Sequence, residues 1–157
     1  MLSDLVLTAE NFHIRRDALH KLKDQTVIKK VALSDKNREV RCEAIKKLED
    51  QTELKNIALT DRDSKIRLEA TRKLKGQEEL KSIALTDRDS EVRYKALQKI
   101  NDQSIFETIA LTDKHDKNRK AAVQKIVNQS VLTLIALHDK AVWIRKLARE
   151  KISNSST

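Results

Sequence analysis

A 26-residue period runs through the chain without slippage and constrains its fold more than any other feature. Gln25, Gln51, Gln77, Gln103 and Gln129 follow it, as do Ala32, Ala58, Ala84, Ala110 and Ala136, and Arg15, Arg41, Arg67, Arg93, Arg119 and Arg145. Ladders held in one register define a repeating unit too short to bury an apolar face alone. Each unit must therefore stack on its neighbours, which share one continuous core.

The third unit, Asp50 to Lys75, shows how the repeat is built. Leu54, Ile57 and Ala58 stand at i, i+3 and i+4, one face of a short helix, with Asp50 at the N-cap and Glu53 placed to complete a capping box. Thr60 to Ser64 reads as a polar turn that caps a second helix, in which Ile66, Ala70 and Leu74 form the inner stripe. Composition agrees, since a chain with 36% charged residues, 3% aromatics, no proline and a single glycine, Gly76, reads as helix almost throughout. The expected fold is all-α, an α-solenoid of six stacked helical hairpins. Its units fall at about 1–23, 24–49, 50–75, 76–101, 102–127 and 128–153, one domain over 1–153 with a polar tail at 154–157.

One string recurs in phase: Asp, four residues, Ile or Val, Arg, two residues, Ala, three residues, Leu or Ile. It stands as Asp35, Val40, Arg41, Ala44, Leu48, as Asp61, Ile66, Arg67, Ala70, Leu74, and as Asp87, Val92, Arg93, Ala96, Ile100. This string resembles the second-helix signature of HEAT repeats in a short variant. The resemblance implies a superhelix in which the Arg ladder and its Asp partners (Asp35, Asp61, Asp87, Asp113, Asp139) are struts between repeats. It also implies that the second helices line a concave groove.

The remaining ladders read as scaffold. The Gln ladder sits at the start of each first helix, where its side chain can bind loop backbone. Lys21, Lys47, Lys73, Lys99, Lys125 and Lys151 flank the core stripe and read as a solvated rim, the alternative being a basic track for phosphates or an acidic peptide. The positions facing away from the stripe of the second helix vary from unit to unit. Arg16, His20, Lys46, Leu68, Arg72, Tyr94, Gln98, Lys120, Gln124 and Lys146 are therefore the candidate partner contacts. Three irregularities accompany them. The first helix lacks its N-cap and Gln, with Leu2, Leu5 and Val6 in the core slots; Asn118 takes a slot held elsewhere by Ile or Val; and the last unit turns apolar at Trp143, Leu134 and Leu147. An apolar last unit is either a local plug or a docking end, open to self-association.

Function classes narrow accordingly. The formal net charge of +9 is spread as +2, +3 and +4 over residues 1–50, 51–100 and 101–157, so no basic tail exists. A single cysteine, Cys42, excludes an intrachain disulfide and a multi-cysteine metal site, and suits a reducing compartment. One glycine excludes a glycine-rich phosphate loop, and His13, His20, His115 and His138 show no metalloprotease spacing. The expectation is a cytoplasmic, non-enzymatic scaffold or adaptor without cofactor or metal, gripping a protein partner of acidic character along the groove. A basic solenoid that binds nucleic acid is the alternative, and no membrane span is expected.

Overall fold

The computed structural model describes residues 1–155, and every regular element among them is an α-helix. The helices pair as α1 (Leu2–Thr8) with α2 (Phe12–Lys21), α3 (Gln25–Ser34) with α4 (Arg38–Lys47), and α5 (Gln51–Thr60) with α6 (Ser64–Lys73). The pairing continues as α7 (Gln77–Thr86) with α8 (Ser90–Lys99), α9 (Gln103–Thr112) with α10 (Asp116–Lys125), and α11 (Gln129–His138) with α12 (Val142–Asn154). The helical-hairpin repeat expected from the period is present. The residues expected as one domain fall into two compact units, 1–76 and from 77 onward, each holding three hairpins. Helix α12 runs through Asn154, so only Ser155 of the expected tail is non-helical among the described residues; Ser156 and Thr157 lie outside them.

Helices of ten residues are marginal in water, so their ends matter. Asp24, Asp50, Asp102 and Asn128 cap first helices by accepting N–H donors of the first turn; Asn11, Asn37, Asp63 and Asp89 do the same for second helices. The capping box at Asp50 does not form: Glu53 turns instead to Lys29 Nζ, 2.7 Å away, in the preceding hairpin. Each first helix from α3 onward ends at an Asp of the ladder. In Asp35, Asp61, Asp87, Asp113 and Asp139, Oδ1 accepts the N–H two residues on at 2.7–2.8 Å, which turns the chain with every φ negative. The turns accordingly need neither glycine nor proline.

The core is the predicted stripe plus one ladder that a three-position stripe overlooks. Ile28, Val31 and Ala32 and their 26-residue equivalents are buried, as are Val40, Ala44, Leu48, Ile66, Ala70 and Leu74. Leu19, Ile45, Leu97 and Val123 lie one residue beyond the small alanine and are equally buried. Thr71 holds that place in α6 and satisfies its hydroxyl by donating to the Arg67 carbonyl at 2.8 Å. Contacts between successive hairpins of a unit run mainly through the second helices, where alanine permits close approach, while the first helices stand further apart. In α1 only Val6 is buried. Leu2 and Leu5, expected in the core, are 40% and 47% exposed; α1 packs mainly on α2, with a smaller contact to α3.

The polar ladders join one repeat to the next. Arg15 makes a bidentate pair with Asp35 (2.7 and 2.9 Å), Arg93 with Asp113 (2.7 and 2.8 Å) and Arg119 with Asp139 (2.8 and 3.1 Å). Each arginine also donates to carbonyls of its own turn, as Arg93 Nη1 does to Asp87 at 2.8 Å. Gln25 and Gln103 clamp the open end of their hairpins: the amide donates to the last carbonyl of the second helix, Lys47 or Lys125, and accepts the N–H two residues later. The lysine ladder is not the expected solvated rim. Lys47 Nζ donates to the Leu19 and His20 carbonyls at 2.8 and 2.7 Å, Lys73 to those of Lys46 and Leu48 at 2.6 Å, and Lys151 to that of Gln124 at 2.7 Å. Each ammonium caps the C-terminal end of the preceding second helix, where the helix dipole favours a cation. Burial pulls Lys73 and Lys151 below the ordinary lysine pKa.

Candidate functional site

With the Arg, Gln and Lys ladders engaged inside the stack, the candidate contacts are the variable side chains on the outward face of the second helices. A helix brings residues three and four apart onto one face, so each second helix contributes one short column.

In residues 1–76 the columns neutralise themselves. Arg16 is half-buried with its guanidinium 3.8 Å from Asp17, and His20 is exposed. Lys46 bonds Glu43 at 2.6 Å, Arg72 bonds Glu69, and Leu68 is half-buried between them in the row. Arg38 reaches across to Asp63 at 3.7 Å. His13 and His20 share α2, and no group of three or more His, Cys, Asp or Glu among the described residues could hold a metal ion. Cys42 lies half-buried beside this row. Burial, reinforced by Glu69 and Asp63, pushes its thiol above the ordinary value, so it rests as the neutral thiol rather than a nucleophilic thiolate.

From residue 77 onward the face is basic and aromatic. Lys117 Nζ sits 4.4 Å from the centre of the Tyr94 ring and 2.9 Å from Glu91, both one repeat back. Lys120 Nζ lies 5.5 Å from the centre of the Trp143 ring, one repeat forward. Gln98, Gln124 and Lys146 are exposed, Lys146 with Glu150 at 3.9 Å. Alternating lysines and rings thus tie α8, α10 and α12 into one surface. Lys117, which was not among the expected contacts, also belongs to this surface; its slot, read as Glu39, Lys65, Glu91, Lys117 and Trp143 along the chain, varies as the expected contacts do.

The apolar last unit divides. Trp143, 44% exposed, and half-buried Leu147 join the second-helix face of α12. Leu134, 46% exposed, lies instead on α11, in a cleft of about 220 Å³ with Leu111, Ile135 and His138. The three residues proposed for one docking end therefore belong to two surfaces.

Asn118 is buried at 1% exposure. Its Nδ2 donates to the Ser90 carbonyl and to Asp113 Oδ2, both at 3.2 Å, while Oδ1 has no partner. Asparagine in a slot held elsewhere by Ile or Val thus leaves an unsatisfied acceptor in the core. Among the described residues no helix is long and apolar enough to cross a membrane. No family model matches the chain, and no curated protein matches it either.

Proposed function

We propose that the chain is a HEAT-like repeat module of the cytoplasm, without a catalytic step of its own, that holds an acidic segment of another protein along its second-helix face. The observation that carries this reading is the division of labour among the charges. The invariant Arg, Asp, Gln and Lys ladders bond backbone and side chains within the stack. The variable residues Lys95, Lys117, Lys120 and Lys146, with Tyr94 and Trp143, are left at the surface of the second unit. A basic face with aromatic anchors suits carboxylate-rich protein segments with apolar side chains between the charges.

The same lysine–aromatic alternation supports nucleic-acid binding as the second reading, since bases stack on exposed rings. The lysine ladder lends it little, because those ammoniums hold helix carbonyls. Selection of a displayed random peptide library on the intact chain tests both readings. Acidic sequences should be enriched and should lose at least tenfold in affinity on the double variant Lys120→Glu, Lys146→Glu. Single-stranded oligonucleotide binding that falls linearly in log salt, with no peptide enriched, would replace the first reading with the second.

A further inference from the structure

The edge formed by the turns between first and second helices carries two further ladders. Leu7, Leu33, Leu59, Leu85, Leu111 and Leu137 occupy one place in all six hairpins and are 38–63% exposed. Three residues after each leucine from Leu33 onward comes an exposed cation: Lys36, Arg62, Arg88, Lys114 or Lys140. The exposed place held by Lys30, Asn56, Ser82, Thr108 and Leu134, by contrast, varies freely. A leucine kept this exposed in every unit gains only part of what burial offers and tends to reduce solubility.

In the second unit the wider separation of the first helices opens this edge into clefts. One of about 380 Å³ is lined by Leu85, Arg88, Thr112 and Lys114 over the Arg93–Asp113 pair; another of about 220 Å³ holds Leu111 and Leu134; a shallower one is bordered by Lys114 and Lys140 over Arg119. The ladder carboxylates Asp113 and Asp139 are already neutralised by bidentate arginines. Around these clefts the cations Arg88, Lys114 and Lys140 outnumber the remaining carboxylates, Asp87 and Asp116.

We infer that the turn edge of the second unit binds an extended acidic peptide, one leucine-sized side chain and one carboxylate entering at each of its three hairpins. The spacing supports that occupant: neighbouring helices pack at about 8–10 Å, and a polyproline II chain makes one turn in three residues over about 9 Å. A chain in that conformation with an apolar and an acidic residue in every triplet keeps them on one side and in register with the ladders. Recessed clefts suit side chains of one chain better than a flat bilayer, which would need the leucines to protrude. This surface is separate from the second-helix face, and its partner need not be the same molecule.

The experiment uses a fluorescent peptide of three Leu-Asp-Ser triplets with the intact chain. Saturable binding is expected. It should weaken at least tenfold when lysine replaces aspartate in the peptide, and by a similar factor in Lys114→Glu, Lys140→Glu and, separately, in Leu111→Ser. All variants are checked for unchanged helicity, and the Leu111→Ser change is at an exposed site, so it should fold. The dependence on Lys114, Lys140 and Leu111 should persist in the background of Lys120→Glu, Lys146→Glu, which tells a peptide held on the turn edge from one held on the second-helix face; dependence on Lys120 and Lys146 alone would overturn the inference and leave the function proposed above standing. Absence of binding at low salt, indifference to Leu111→Ser, or capture of the chain by phosphatidylserine vesicles that displaces the peptide would each overturn the inference.

Discussion

The two units are built from one repeat, yet they use it differently. In the second unit both internal struts close, Arg93 on Asp113 and Arg119 on Asp139. In the first, Arg15 closes on Asp35, but no ion pair among the described residues joins Arg41 to Asp61, and Arg41 holds only the Asp35 carbonyl at 2.8 Å. The second-helix faces diverge too. That of the first unit sets Arg16, Lys46, Lys65 and Arg72 against Asp17, Glu39, Glu43 and Glu69; that of the second sets Lys95, Lys117, Lys120 and Lys146 against Glu91 and Glu150. A recurring residue fixes where a bond can form, whereas the surrounding variable residues decide whether it forms and what charge remains at the surface.

The largest expected effect tests the struts. Asp139→Asn keeps an acceptor for the Ala141 N–H but removes the charge facing buried Arg119, and should cost about 3 kcal/mol, the lower end for breaking a buried pair, since Arg119 retains carbonyl partners. Asp61→Asn, with no arginine closed upon it, should cost less than about 0.5 kcal/mol, as a surface change does. Urea denaturation of the two variants measures both, and equal losses would mean that the open strut closes in solution. Acid should reproduce the contrast. Burial pushes Asp113 and Asp139 up, but hydrogen bonds from Arg93 and Arg119, with backbone N–H donors, outweigh it and leave both carboxyls below the ordinary value. A depressed folded-state pKa stabilises the fold above the unfolded value of about 3.9, and that stabilisation is lost as pH falls further. Hydrogen-exchange protection in α10 and α12, taken relative to the intrinsic rate at each pH, should therefore fall below about pH 4, and the Asp139→Asn variant should show a flatter acid profile in α12.

Much of this fold was legible in the sequence because a period repeated six times averages out local ambiguity. Ile66, Ala70 and Leu74 announce a buried helix face without any structure, and Gln25 could be placed on loop backbone by its position alone. The lysine ladder was not legible in the same way. Lys73 stands where a helical wheel puts a solvated flank, and only the offset between stacked repeats brings its ammonium onto the Lys46 and Leu48 carbonyls. Leu2 and Leu5 were misplaced for the same reason: a core slot is buried only when a neighbour covers it. Of the candidate face, Tyr94 and Lys120 were marked by their variability, but their pairing with Lys117 and Trp143 depends on which columns lie side by side.

A smaller effect is expected at Asn118, which the first unit answers with Val40 and Ile66. Asn118→Val removes the unpartnered Oδ1 at the cost of two long hydrogen bonds, and Asp113 keeps Arg93 and the His115 N–H. The variant should gain about 1 kcal/mol, the typical penalty of a buried unsatisfied group. A loss in thermal midpoint would show instead that the Asn118 bonds hold α8 and α10 in register.

The smallest effect bears most directly on the difference between the two faces. If the second unit presents lysine–aromatic pairs rather than ordinary ion pairs, a double-mutant cycle on Lys120 and Trp143 should return a coupling of about 0.5–1 kcal/mol. The cycle on Lys46 and Glu43, an exposed pair three residues apart on one helix, should return about 0.3 kcal/mol at low salt and nothing measurable at high salt. Salt separates them because mobile ions screen a charge pair in water more fully than a cation resting on a ring face, where part of the attraction comes from contact with the ring itself. Equal couplings with equal salt dependence would mean that Lys120 and Trp143 are merely adjacent, and the second face would then differ from the first in net charge alone.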